Sequence, residues 1–247
     1  MRALIAGVVG AALLGVVACG STPSPDPSAA VAPSSASATP GAVVDGAAFT
    51  RAVVARLQAE PFVAHVEQIA DAITTETTED GKTVERPNVQ LTASYDFSGD
   101  DMRASLTVAT TGVTRRSEMA AVGDTFWSRD DESDWVAISR SAEVQQGLDE
   151  MYQTVRITDD PAALQYIGLE TLDGEQLHHL SALPGRVPYA SGTFDALDLY
   201  VRADGTPVLL NGKFTTEAPG VVVEGTTAVA YSSFGGPISI EPPVPTP

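Results

Sequence analysis

Val89-Gln-Leu-Thr-Ala-Ser-Tyr-Asp-Phe-Ser-Gly-Asp-Asp-Met-Arg-Ala-Ser-Leu-Thr-Val108 decides the fold class. Val89, Leu91, Ala93, Tyr95 and Phe97 alternate with Gln90, Thr92, Ser94 and Asp96. Met102, Ala104, Leu106 and Val108 then alternate with Arg103, Ser105 and Thr107. Successive side chains of a strand point to opposite faces, so each run has one apolar and one polar face. Ser98-Gly99-Asp100-Asp101 between them is turn chemistry, and the pair reads as an antiparallel hairpin.

Outward from this hairpin the pattern extends in both directions. Upstream, Phe49, Val53 and Leu57 recur every four residues with Val54 beside them, one apolar stripe of a helix over residues 46–59. Asp45 is placed to cap it and Pro61 to stop it. Downstream, strands are expected over Val113–Ala121, Thr125–Ser128 and Trp135–Ser139. Helical spacing returns at Val144, Leu148, Met151, Tyr152 and Val155, and Asp160-Pro161 opens a short further helix. The last third reads as strand at Gln176–Ala182, Ala196–Ala203, Val208–Glu217 and Val221–Ser232, with Asp204-Gly205 as a tight turn. About nine strands against two or three helices leave too few helices for a parallel, doubly wound sheet. The expected class is α+β: a strongly curved antiparallel sheet wrapped over the helices.

The chain has 247 residues and a formal net charge of −18, with 14 basic against 32 acidic groups. It lacks the basic surplus that phosphate neutralisation needs, so a nucleic-acid partner is not expected. Lys82 and Lys213 are its lysines, which excludes a polybasic membrane patch. One cysteine rules out an internal disulfide framework and a cysteine-rich zinc site.

That cysteine, Cys19, ends a run whose residues 3–18 are all Ala, Leu, Ile, Val or Gly after Arg2. The run is short for a membrane span, which needs about 20 residues, and fits the apolar region of a signal peptide. Val16-Val17-Ala18-Cys19 resembles the bacterial lipobox. That resemblance implies that residues 1–18 are removed and that Cys19 carries a diacylglycerol thioether anchoring the chain to the membrane. Residues 20–45 are rich in Ser, Thr, Pro, Ala and Gly, and lack Lys, Arg and aromatics, the composition of a flexible tether. The organisation read from this is a leader at 1–18, a lipidated cysteine and tether at 19–45, one folded domain at 46–242 and a proline-rich tail at 243–247.

Several chemistries are suggested and then fail on spacing. Gly81-Lys82-Thr83 resembles the end of a phosphate loop, but Glu76 stands where its first glycine belongs, and Asp80-Gly81 reads as a hairpin tip. Asp130, Asp131, Glu132 and Asp134 crowd one loop without the spacing of a calcium loop, and read as a solvated turn. His178 and His179 are neighbours on a strand, so they point to opposite faces and do not share a metal. No nucleophile elbow, zinc-protease helix or dinucleotide loop occurs, and no spacing selects one pair of carboxylates. No catalysis, metal or cofactor is expected.

The order of elements, from lipobox and tether through one helix, antiparallel strands, mid-chain helices and more strands, resembles the LppX/LprAFG lipoproteins of actinobacteria. These are related in fold to the LolA and LolB carriers. The local matches are Leu197-Asp-Leu-Tyr-Val-Arg-Ala-Asp-Gly-Thr-Pro-Val-Leu-Leu210, Tyr231-Ser-Ser-Phe-Gly-Gly-Pro-Ile-Ser-Ile240, and Phe126-Trp-Ser-Arg-Asp with Trp135-Val-Ala-Ile. The resemblance implies a half-barrel around helices, with an apolar cavity that binds a lipid or glycolipid and carries it across the cell envelope. It also implies a domain on the outer face of the cytoplasmic membrane.

The alternating sets nominate a cavity wall: Leu91, Ala93, Tyr95 and Phe97, then Leu106 and Val108, then Leu197, Leu199 and Val201, with Val53 and Leu57 on the opposing helix. In sequence such a set looks the same whether it lines a pocket or fills a core. The expected reading is a monomeric, membrane-anchored lipid carrier, with a transporter or envelope protein as a further partner. The alternative is a non-enzymatic scaffold or sensor that binds a protein through the sheet surface.

Overall fold

The structure is a computed structural model that describes residues 45–78, 80–86, 88–189 and 192–244. The leader, Cys19 and the tether up to Val44 lie outside the described residues. In chain order the elements are α1 (Gly46–Leu57), β1 (Val63–Thr77), β2 (Thr83–Glu85), β3 (Val89–Ser98), β4 (Asp101–Thr110), β5 (Val113–Val122), β6 (Thr125–Asp130) and β7 (Val136–Ser139). Then follow α2 (Ala142–Arg156), a single 3-10 turn (Pro161–Ala163), β8 (Leu164–Leu172), β9 (Glu175–Ala182), β10 (Pro188–Tyr189), β11 (Gly192–Val201), β12 (Pro207–Ala218) and β13 (Val221–Ser232).

All the strands join one antiparallel sheet of order β7-β6-β5-β4-β3-β1-β13-β12-β11-β9-β8, with β2 and β10 as short additions on β1 and β11. The sheet is not closed; β7 and β8 are its edges. The first and last long strands, β1 and β13, pair at the centre from His65↔Ser232 to Glu76↔Val221. From that seam the chain meanders outward on both sides.

Eleven strands about 4.8 Å apart would span about 48 Å if flat. Two helices about 10 Å across could not roof such a sheet. One contiguous core nevertheless joins both helices to strands from β1 to β13, which requires the sheet to curl around them.

The expected hairpins are present, including β3–β4 from Gln90↔Ala109 to Ser98↔Asp101 and β11–β12 around Asp204-Gly205. Asp80-Gly81 is the tip of the β1–β2 hairpin. Asp45 caps α1 by accepting from the Ala47 and Ala48 amides at 3.1 Å, and Ser141 caps α2.

The strand count is a correction: β1, β2, β8 and β10 were not among the nine expected. The reason is clearest in β1. Its buried face is Ala64, Val66, Gln68, Ala70, Ala72 and Thr74, whereas Ile69 and Ile73 are exposed. The apolar signal of that strand therefore sits on the wrong face for a periodicity reading. Gln68 is tolerated inside because its amide donates to Thr227 Oγ1 at 3.1 Å and its carbonyl accepts from Tyr95 Oη at 3.3 Å.

α2 lies over the turn end of β3–β4. The Tyr152 ring is 4.7 Å from that of Phe97, and its hydroxyl donates to the Gly99 carbonyl at 2.5 Å and the Asp101 carbonyl at 3.3 Å. Tyr231 reaches from β13 to donate to the Val155 carbonyl at 2.8 Å. Gln58, just past α1, donates to the carbonyls of Arg156 and Thr158 and so satisfies the end of α2. Tyr152→Phe should leave the two turn carbonyls short of a donor at the α2–hairpin junction. The expected cost is about 1–2 kcal/mol in chemical denaturation, with an unchanged m-value.

Candidate functional site

The turn at Gly123-Asp124 sets Met119 opposite Ser128 and Ala121 opposite Phe126. β7 then adds Val136 beside Ser128 and Ile138 beside Phe126. Met119, Ser128 and Val136 thus form one row on the inner face, and Ala121, Phe126 and Ile138 the next. α2 faces these rows with Val144, Gly147, Leu148 and Met151. Between helix and strands runs a groove of about 380 Å³.

Its floor is apolar: Met119, Phe126, Val144, Leu148 and Met151 are all buried. The outer rim is the edge strand, where Val136 and Ile138 remain 54 % and 41 % exposed. Ser128 and Gly147 provide the room, because neither side chain fills the space between strand and helix. Two methionines on facing walls give an adaptable, polarizable lining. The far end of the groove is polar, with Ser117, Glu118, Arg129, Asp130 and Ser133. There Ser117 donates to Asp130 at 2.7 Å, and Arg129 is paired with Glu118.

The residues nominated from sequence occupy a different part of the inner face. Val53, Leu57, Phe97, Leu197, Leu199 and Val201 are fully buried, and Ala93, Tyr95 and Leu106 nearly so. All nine belong to the single core, with half-buried Leu91 packed against it; Val108 is also half-buried. None of these eleven lines the apolar groove, the cavity beside the start of α1 or the polar cavity at Asp100, Asp101 and Arg140. Ala93→Trp is therefore expected to overpack the space between Gln68 and Leu106, its cross-strand neighbours. The cost should be about 1–3 kcal/mol, read by denaturant unfolding.

The groove residues Met119, Phe126, Val136, Ile138, Leu148 and Met151 were not nominated. Their elements were legible, and α2's spacing was read correctly. Nothing local says that α2 lies beside an edge strand and leaves a gap there.

His178 and His179 face opposite sides, as strand alternation requires. His178 is buried under Phe49, whose ring is 4.4 Å away, and Tyr166 Oη lies 2.9 Å from its Nδ1. Burial holds its pKa below the ordinary histidine value. His179 sits on the outer face, with Nδ1 2.7 Å from Glu170, Nε2 2.8 Å from Asp198, and its ring stacked on Tyr200. Burial also raises the hydroxyl pKa of Tyr95, Tyr152 and Tyr231, and that of Tyr189 to about 12, so all four are neutral at physiological pH. Among the described residues no group of three or more His, Cys, Asp or Glu is placed to hold a metal ion. Among them, too, no helix is long and apolar enough to cross a membrane.

No known family and no curated protein matches the chain. Some solved structures resemble it loosely. A DUF1329 family protein from Desulfovibrio piger is 15 % identical, aligns over 80 % of this chain and 96 % of its own, and has a TM-score of 0.28. MucB of Pseudomonas aeruginosa, in complex with MucA, is 12 % identical over 74 % of this chain and 57 % of its own, with a TM-score of 0.29. A beta-barrel-like DUF1849 protein from Brucella abortus is 8 % identical over 69 % and 98 %, with a TM-score of 0.27. None of the three is an LppX/LprAFG protein, and none superposes closely enough to carry a function across.

Proposed function

We propose that this protein is a lipid-anchored envelope protein that binds the aliphatic part of a lipid or glycolipid in the groove beneath α2 and carries it without catalysis. The observation behind this reading is the apolar, part-open groove between α2 and the edge strand, with Val136 and Ile138 left uncovered at its mouth. Burying apolar surface there is worth about 25 cal/mol per Å². Such a site is non-directional along its floor and polar at one end, which suits an amphiphile. The lipobox-like Cys19 and the LppX/LprAFG resemblance support the same reading from the other end of the chain.

The test is fluorescence of the uncharged probe N-phenyl-1-naphthylamine with the chain from residue 20 onward, which keeps every described residue. The wild type should enhance the probe's emission saturably. Ser128→Phe, which fills the groove from the strand side, should reduce probe affinity at least tenfold while the unfolding midpoint stays within about 0.5 kcal/mol of wild type. A stable Ser128→Phe protein with undiminished binding would overturn the assignment.

A second reading rests on the same edge. Among the described residues β7 has no strand on its outer side, and Val136 and Ile138 are exposed, which is how a sheet offers itself to an added strand. In that case an envelope protein would pair with Val136–Ser139. Complex formation would then survive Ser128→Phe, which fills the groove and leaves the outer edge of β7 as it is.

A further inference from the structure

We infer that the ligand of this groove carries a positively charged, hydrogen-bond-donating head, and that the groove discriminates against an anionic head on the same tail. The inference rests on the groove reading above and concerns its polar end.

The charges at that end are unevenly committed. The cations are Arg115, Arg116 and Arg129; the anions are Glu118, Asp130, Asp131, Glu132 and Asp134. Arg129 donates from its side chain to Glu118 and lies over the Trp135 ring at 4.8 Å. Arg116 donates to the other oxygen of the same carboxylate at 2.6 Å. Two guanidiniums are thus drawn to one carboxylate that is itself mostly buried, and strand alternation sets all three side chains on the face opposite Met119 and Ser128.

Asp130 is different. One oxygen accepts from Ser117, and its amide donates to Ser133 Oγ. Its second oxygen has no protein donor among the described residues and stands at an exposed position on the groove lining. Glu132 and Asp134 follow in the same exposed turn. Among the described residues Arg115 is the opposing charge on that face of β5; it lies two residues beyond Ser117, about 7 Å further from the apolar floor. A head seated where the groove turns polar meets the Asp130 carboxylate before it reaches Arg115. An ammonium finds acceptors there, whereas a carboxylate or phosphate meets like charge.

Dodecylammonium and laurate share an aliphatic tail and carry opposite charges at pH 7. Displacement of bound N-phenyl-1-naphthylamine by each, below its micelle concentration, isolates the contribution of the head. Dodecylammonium should displace the probe at a concentration at least tenfold lower than laurate. Asp130→Asn keeps an oxygen for Ser117 and should cut that preference severalfold, read as the ratio of the two displacing concentrations within each protein. Asp173→Asn, in the β8–β9 turn, removes one charge from the molecule without touching the groove and should leave the preference as it was.

Equal or tighter binding of laurate overturns the inference and leaves the groove reading standing. So does an equal loss of preference in Asp130→Asn and Asp173→Asn, since that assigns the preference to net charge. A probe that never binds overturns the groove reading, and this inference falls with it.

Discussion

Gly225→Ala is expected to cost about 3 kcal/mol and to lower the melting temperature by about 6–12 °C, a large effect for a single methyl group. Gly225 lies in β13, paired with Ala72 of β1 on one side and Phe214 of β12 on the other. A Cβ there would stand 2.5 Å from the Asp71 carbonyl oxygen, 2.6 Å from Phe214 Cζ and 3.0 Å from Ala72 Cβ. The ring of Phe214 lies across the glycine, an arrangement that compensates for the missing side chain. The new methyl has to push either that buried ring or the β1 backbone, and the β1–β13 seam is the one that joins the two meanders. Thr226→Ala, next along the strand and exposed, should stay within about 0.5 kcal/mol of wild type. Equal stability of the two variants would show that the seam is not packed as described.

Cys19→Ala is expected to move the protein from the membrane to the soluble fraction. The proposal places the entire attachment on the acyl chains of that residue. The net charge of −18 works against adhesion to an anionic membrane surface. The measurement is the fraction of protein retained by membranes after a carbonate wash, which should fall from nearly all to a minor residue. Retention equal to wild type would mean that residues 1–18 stay attached and anchor the chain themselves.

Strict alternation was enough to read β3, β4 and β11–β13. In these strands the largest apolar side chains, such as Phe97, Leu199, Phe214 and Tyr231, are on the buried face, and a turn separates the paired strands. The two helices were legible for the same reason: Val53 and Leu57, and Val144 through Val155, fall on one stripe each. β1 broke the rule. Its inner face carries small alanines and Gln68, whose amide Tyr95 and Thr227 reach across to satisfy. Its isoleucines face outward. A central strand that looks polar inside cannot be recognised until its partners are known.

Local order in the chain was sufficient to establish an antiparallel α+β pattern, the β3–β4 and β11–β12 hairpins, the buried faces of β3 and β4 and the opposite orientations of His178 and His179. These follow from interactions within a few residues, where side-chain alternation and turn chemistry act directly. The pairing of β1 with β13, whose residues lie some hundred and fifty positions apart, follows from no local rule. Nor does the gap at the edge. Leu91, Ala93, Tyr95, Phe97 and Leu106 have the same pattern as Met119 and Phe126. What separates core from groove is where α2 and its neighbours cover the inner face tightly and where Gly147 and Ser128 leave it open, a property of packing between elements distant in sequence.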